Sequence, residues 1–352
     1  MTVRVGFYGA GLISRTHTAL LATSSVDHDI VAVHDPDEAR AERFADRHGA
    51  RAVGEDELLD VVDAVFVTTW TSAHERLVRK VADRGLAVFC EKPVAMDAAV
   101  VESMVDAVEA AGVTNQVGLI LRMFPQFVLT RQLIGDARAG RLMAVSFRDD
   151  QYIPNRGRYR STWRVDPARA GRGTLLEHSI HDVDILRWIC GEVDGVSAAM
   201  REMHGHDRID DVTVARLEFA SGAIASLTSV WHDVMERPSM RHIEFFCERL
   251  YVRLEDGPDG MDLRWQFDGG PAETLGGDLL REACAGIPGL PTADTVPYLG
   301  GFVFNSATAF LAAVRDGEPS PLPLREALPA HRLVDALYES ADSDGGVVRM
   351  AR

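Results

Sequence analysis

Apolar positions in the first third of the chain fall in short unbroken runs separated by helical patterns. Val3-Arg4-Val5-Gly6-Phe7-Tyr8 predicts a buried strand, followed at once by Gly9-Ala10-Gly11 and a helix over 12–22. Residues 30–33 predict a second strand ending at Asp35, 37–48 a helix closed by Gly49, and 61–69 a third strand. Ser72-Ala73-His74-Glu75 has capping-box spacing and predicts a helix start there, with a stop near Gly85. A fourth strand is expected over 86–90, a helix from Asp97 to Ala111, and a further strand over 113–121. Unbroken apolar strands are buried on both faces. Strand–helix alternation at this spacing implies a doubly wound parallel sheet with right-handed crossovers.

The pattern changes after Arg122. A short helix is expected over 125–134, and from Leu142 the strands become longer and alternate in polarity. Residues 212–219 and 223–231 read as a hairpin through Ser221-Gly222, continued by strands at 240–246 and 251–254. One helix, 175–189, is expected to pack on this sheet. Residues 256–297 are rich in Gly, Pro and acids and predict weak strands and loops, with helices following at 301–315 and 325–340. The expected architecture is α/β. A Rossmann domain occupies 1–122, and an α/β domain with a large, mostly antiparallel open sheet occupies 123–352. A chain of 352 residues suits two domains.

Charge and composition narrow the partners. A formal net charge of −16 argues against nucleic acid, and no apolar stretch is long enough for a bilayer. A strand begins almost at once, so no signal peptide is expected. Cys90, Cys190, Cys247 and Cys284 are far apart and are expected to be free thiols in a reducing cytoplasm.

The candidate chemistry starts at the glycine turn. Gly9 lets the chain turn out of the strand, and Gly11 lets a pyrophosphate approach the start of the helix. Ser14 stands where a third glycine is usual. Asp35 ends the second strand, where a carboxylate suits ribose hydroxyls; NAD(H) is therefore expected over NADP(H), which stays open. Lys92, in Glu91-Lys92-Pro93, follows the fourth strand at the ligand edge of the sheet, where an ammonium suits a developing alkoxide. Glu177, His181, Asp184 and Trp188 share one stripe of the expected 175–189 helix. Histidine there suits proton transfer near neutral pH, with Glu177 one turn earlier to orient it. No metal is expected, because no third ligand cluster accompanies Glu177-His178 and His181-Asp182. The Arg148–Tyr152 run, with Tyr159 and Trp163-Arg164, reads as an aromatic and polar loop suited to a polyhydroxylated ligand.

Together these residues resemble the Gfo/Idh/MocA oxidoreductases, the glucose–fructose oxidoreductase and inositol dehydrogenase family. The resemblance rests on Gly9-Ala10-Gly11, Asp35, His74, Glu91-Lys92-Pro93 and the run from Gly173 through Asp184. It implies Lys92 and His181 as the catalytic pair, with Glu177 orienting or relaying. Which of the pair is the primary proton carrier stays open. The implied cofactor-binding residues are Gly9, Gly11, Leu12, Ile13, Asp35, Thr69, Trp70, His74, Glu91 and Lys92. The implied substrate-binding residues are Lys92, Arg122, Tyr152, Trp163, His178 and His181. The resemblance also implies a homodimer or homotetramer joined through the open sheet. Three departures stand out: Gly171-Arg172-Gly173 for a glycine triplet, Glu177 for an aspartate, and Trp70 for a proline. The runs Thr69–Glu75 and Phe89–Pro93 look like the inositol dehydrogenase branch. The implied activity is hydride transfer to or from a secondary hydroxyl or ketone of a sugar, cyclitol or derivative. The alternatives are a redox-assisted glycosidase with tightly held NAD and a non-catalytic sensor of dinucleotide or sugar.

Overall fold

The computed structural model describes residues 2–157, 159–257, 260–284, 293–296 and 301–350, with the backbone alone at 257, 278, 281, 284, 293–296 and 301–304. The chain divides into two compact units, Met1–Leu119 with Asn305–Pro329, and Ile120–Phe304 with Ala330–Arg352.

In the first unit, β1 (Val3–Tyr8), β2 (His28–His34), β3 (Arg51–Ala52), β4 (Ala64–Val67), β5 (Ala87–Cys90) and β6 (Asn115–Val117) form one sheet in the order β3-β2-β1-β4-β5-β6. Every pairing is parallel. Phe7, Phe66 and Phe89 are fully buried, as unbroken apolar strands covered on both faces require. The strand order reverses beside β1, and in such sheets ligands bind beyond the carboxyl ends of the strands at that point. β3 and a short helix, Glu55–Leu59, carry too little periodicity to stand out in the sequence.

Three local expectations change in this unit. The capping box at Ser72 does not form. Ala73 N–H donates to the Trp70 carbonyl, which winds Thr71–Ala73 into a 3₁₀ turn, and the helix His74–Asp83 starts without a side-chain cap. The strand expected over 113–121 is confined to β6, because the chain turns into a 3₁₀ segment at Ile120–Met123. The helix expected from 301 begins at Ser306, where Asn305 Oδ1 accepts from Thr308 N–H. Gly301–Phe304, ahead of the Asn305 cap, is a strand. That helix packs with the first unit although it was assigned by sequence to the second domain. Phe310 meets Phe66 and Phe89 edge-on at 5.4 and 5.8 Å, and Asn305 Nδ2 donates to the Leu20 carbonyl at 2.7 Å.

The second unit is built on β7 (Leu142–Tyr152), β8 (Val193–Arg201), β9 (Val212–Phe219), β10 (Ile224–His232), β11 (Met240–Cys247), β12 (Leu250–Gly257), β13 (Gly260–Phe267) and β14 (Ala272–Leu275). β15 (Ala293–Val296) and β16 (Gly301–Phe304) pair with each other, and β17 (Val348–Arg349) joins the edge of the main sheet. The main sheet runs β14-β13-β12-β11-β7-β10-β9-β8-β17 and is antiparallel except for the β7–β10 pair. Three helices, not one, share its core: Pro125–Gly135, Ile180–Cys190 and Leu328–Asp342 contribute Phe127, Val183, Leu186, Leu333 and Leu337 beside Phe147, Leu217 and Phe245.

Among the described residues no helix is long and apolar enough to cross a membrane. Cys90, Cys190 and Cys247 are free thiols; the side chain of Cys284, and residues 258–259, 285–292 and 297 of the expected loop segment, lie outside the described residues.

Candidate active site

The nucleotide end is formed by the first two strands. Gly9 adopts φ +93°, and a Cβ there would sit 2.7 Å from the Thr68 carbonyl oxygen, so the turn requires glycine. A Cβ on Gly11 would meet nothing within 4 Å, leaving open space at the start of the helix Leu12–Ala22. That helix has no side-chain cap and no acid in its first turn, so its leading N–H groups carry no competing anion. Leu12 and Ile13 are half-buried there. Ser14 is fully buried and donates to the Gly11 carbonyl at 2.6 Å, which explains how it replaces a packing glycine. Asp35 is held by the N–H groups of Ala10 (2.8 Å) and Asp37 (2.9 Å). Each oxygen keeps a lone pair for a ribose hydroxyl. Arg40 stands 3.9 Å from the same carboxylate. These residues fit a dinucleotide.

The Glu91-Lys92-Pro93 turn is braced from inside. Glu91 accepts the Lys92 N–H at 3.0 Å with one oxygen and meets His17 Nε2 at 2.6 Å with the other. Both side chains are buried, and His17 packs against the rings of Phe66 and Phe89. Burial opposes the Glu91 carboxylate, but His17 and Lys92 hold its pKa below the ordinary value. Glu91, expected among the cofactor ligands, is thus an inward anchor for Lys92, which is half-buried beside a cis peptide to Pro93. His74 is also buried, with Nδ1 2.9 Å from the Pro93 carbonyl and Nε2 3.2 Å from the Thr69 carbonyl. Burial lowers its pKa, against the pull of those carbonyls. It ties the two loops that follow β4 and β5, and Thr69 and Trp70 remain half-buried on one of them.

In the second unit the acid–base motif departs from the expected helix. Thr174–Glu177 and Ile180–Cys190 are separate helices. Ser179 N–H bonds back to the Thr174 carbonyl, and its hydroxyl donates to Ser229 on β10 at 2.6 Å, so the chain restarts its winding there. Glu177 and His181 therefore do not lie on one continuous helical stripe. The first helix is seated by Asp210, whose carboxylate accepts from Gly173 N–H (2.8 Å), Leu175 N–H (3.1 Å) and Tyr338 Oη (2.9 Å). Glu177 is buried with Arg164 Nε 3.6 Å away, and that guanidinium lies over the Trp163 ring at 5.3 Å. His181 is buried in the first turn of the second helix. The Arg148–Tyr152 run is the tail of β7 rather than a loop, and Tyr152 packs on Tyr159 at 5.3 Å. Arg122, expected as a substrate ligand, is committed to a buried bidentate pair with Asp184 at 2.8 and 2.5 Å.

Residues 3–119 match the oxidoreductase family with an NAD-binding Rossmann fold, Gfo/Idh/MocA, and residues 127–253 match the Gfo/Idh/MocA C-terminal domain. The chain belongs to the Gfo/Idh/MocA family. It is similar to inositol 2-dehydrogenase of Rhizobium meliloti (strain 1021), 33% identical over 54% of this chain and 56% of that enzyme, so the match spans just over half the relative's length. It is similar along nearly its whole length to D-xylose 1-dehydrogenase (NADP(+)) 2 of Haloferax volcanii, 28% identical over 93% of this chain and 94% of that one. Levoglucosan dehydrogenase, solved in complex with NADH and levoglucosan, has the same fold, with a TM-score of 0.85, 20% identity and full coverage of both chains.

The glycine turn and the Glu-Lys-Pro triplet are visible in sequence. His17 and Asp210 are not, whereas Arg164 is legible as part of the Trp163-Arg164 run but not as the partner of Glu177. His17 sits mid-helix among small and polar residues, and only its buried carboxylate partner distant in sequence makes it significant. Asp210 carries no local signal beyond two adjacent acids.

Proposed function

We propose that this oxidoreductase is an NAD(H)-preferring dehydrogenase of a polyhydroxylated small molecule, a sugar or cyclitol, interconverting a secondary hydroxyl and a ketone. The observation that carries the reading is Lys92 held at the carboxyl edge of the parallel sheet by the buried Glu91–His17 pair, in a chain with an open glycine turn and Asp35. Gly9, Gly11 and the start of the helix Leu12–Ala22 hold the pyrophosphate, and Asp35 takes the ribose hydroxyls. When bound, the nicotinamide supplies or accepts the hydride. In the oxidation direction His181 takes the hydroxyl proton, and the Lys92 ammonium steadies the charge that develops on oxygen. Glu177, with Arg164 and Trp163 beside it, shapes the polar wall near His181. The relatives' printed names, inositol 2-dehydrogenase and D-xylose 1-dehydrogenase, support this substrate class. A screen of inositols and aldoses with NAD and NADP, followed at the nicotinamide absorbance, tests it. Net NADH formation is expected, with a lower Kd for NADH than for NADPH because Asp35 repels a 2′-phosphate. No net reduction with any polyol would overturn the reading, and tighter NADPH binding would overturn the preference.

We also propose a homo-oligomer joined through the outer face of the large sheet, and a cytoplasmic location in keeping with the free thiols. Val214 and Ile224 are 50% exposed on that face, and Phe246 packs on Tyr251 with ring centroids 5.4 Å apart. Such a patch is wetted in a monomer and buried between copies. Combining Ile224→Glu and Phe246→Glu should convert the protein to monomer in sedimentation. A wild-type protein already monomeric at micromolar concentration would contradict this.

A further inference from the structure

The second unit contains a cleft of about 260 Å³, none of whose lining residues has a part in the proposed hydride or proton transfer. Three arginines line it: Arg172, Arg201 and Arg208. Each comes from a different stretch of chain. Arg172 is the middle residue of Gly171-Arg172-Gly173, the departure from a glycine triplet that the proposed reaction leaves unused. Arg201 ends β8, and Arg208 lies between β8 and β9. Asp210, Glu202 and the end of the helix Leu328–Asp342 complete the lining.

The cleft's acids do not occupy these cations. Asp210 is buried and already engaged: Oδ1 accepts from Gly173 N–H and Tyr338 Oη, and Oδ2 from Leu175 N–H and Thr213 Oγ1. Asp342 faces Arg172, whose Nη2 is 3.4 Å from its Oδ2 and whose guanidinium lies over the Tyr338 ring at 4.6 Å. Among the described residues, the Arg201 guanidinium donates only to the Met200 carbonyl, at 2.6 Å, and the side chains of Arg208 and Glu202 make no hydrogen bond or ion pair. Two uncommitted guanidiniums thus face one uncommitted carboxylate, and Arg172 keeps donors beyond the one turned to Asp342. Arg208 is held there against backbone preference, with φ +60°, where a residue other than glycine is uncommon. Its loop is tied on both sides. Ile209 N–H donates to the His206 carbonyl at 3.1 Å, and the Asp211 carboxylate accepts from Met203 N–H (2.8 Å) and His204 N–H (2.6 Å). Backbone outliers that their surroundings enforce in this way cluster at ligand clamps.

We propose that this cleft binds a small phosphorylated ligand, a phosphate monoester or phosphate itself, with Arg172, Arg201 and Arg208 gripping its oxygens. Guanidinium forks match the oxygens of a phosphate. A dianion answers both uncommitted cations, where a carboxylate answers one. The volume lies just below the roughly 300–1,000 Å³ of drug-sized ligand sites, which suits a phosphate on a short carbon chain. Asp210 forms part of the lining and also seats Gly173, so the occupant adjoins the start of the helix Thr174–Glu177. The inference goes beyond the dehydrogenase reading and does not rest on it.

Titration calorimetry on the full chain tests the site without any turnover. The probes are inorganic phosphate and glucose 6-phosphate at fixed ionic strength, each with and without saturating NADH. Binding of at least one phosphate is expected, with an affinity that NADH leaves unchanged. R201Q combined with R208N should weaken that binding by about tenfold or more. Both side chains are exposed and asparagine tolerates the left-handed backbone at 208, so the double variant should keep wild-type stability in chemical denaturation. Tighter binding of glucose 6-phosphate assigns the cleft to an ester, and tighter binding of inorganic phosphate assigns it to the free ion. Three results would overturn the proposal: no binding of either phosphate to the wild type, equal affinity in the folded double variant, or displacement of the phosphate by NADH, which would move it to the glycine turn.

Discussion

His181→Ala should lower turnover by about 10²–10⁴-fold while leaving NADH affinity nearly unchanged. The size is what removal of a positioned acid–base group costs. The selectivity follows from the construction of the chain. The residues proposed to hold pyrophosphate and ribose, Gly9, Gly11 and Asp35, belong to the first unit, and His181 belongs to the second. Lys92→Ala should also lose turnover. It should weaken NADH binding too, because Lys92 follows β5 at the carboxyl edge of the nucleotide-binding sheet. In the wild type, oxidation should accelerate as pH rises through the pKa of the proton acceptor, since the neutral base is the active form. His181→Ala should flatten that limb. Steady-state kinetics on the identified substrate, with NADH titration and circular dichroism as controls, decide the matter. A folded His181→Ala protein with near-wild-type turnover would make His181 a satisfied core histidine.

The legible parts of this chain are those whose signal is local. Unbroken apolar strands, the glycine turn and Asp35 at the end of β2 each declare themselves within a few residues. The Glu-Lys-Pro triplet is legible as a location but not as a device, because the His17–Glu91 contact spans 74 positions. The acid–base motif shows the limit of periodicity. Leu175, Leu176, Ile180 and Val183 keep helical spacing straight through His178 and Ser179, so a continuous helix is the natural reading. What breaks it is a Ser179–Ser229 hydrogen bond across 50 positions, together with the seat that Asp210 makes for Gly173. A Cβ on Gly173 would come 1.9 Å from the Asp210 carbonyl oxygen, so the glycine that looks like a loop residue is a packing requirement. The return of Asn305–Pro329 to the first unit is hidden for the same reason. Its apolar face answers Phe66 and Phe89, more than 200 positions away.

Arg122→Met should destabilise the second unit by about 3–5 kcal/mol, the usual result of stripping one partner from a buried ion pair. The family resemblance places Arg122, the last residue of the expected Rossmann domain, among the substrate ligands. The structure commits it elsewhere: Nε and Nη2 grip the two oxygens of Asp184 at 2.8 and 2.5 Å, and the two side chains are only 7% and 2% exposed. The pair joins the 3₁₀ turn Ile120–Met123 to the helix that carries His181. Met fills much of the volume of the arginine stem but offers no charge, so the Asp184 carboxylate stays buried without that cation. The pair itself is worth far less than either half alone, because desolvating two ions consumes most of their attraction. Arg122→Met combined with Asp184→Leu should therefore recover most of the lost stability. Chemical denaturation of the wild type, both single variants and the double variant measures the coupling directly. An Arg122→Met protein as stable as the wild type, with KM raised and NADH affinity intact, would return Arg122 to the substrate and refute the structural assignment. A destabilised single variant rescued by the second substitution would fix Arg122 as the clamp that holds the His181 helix in place.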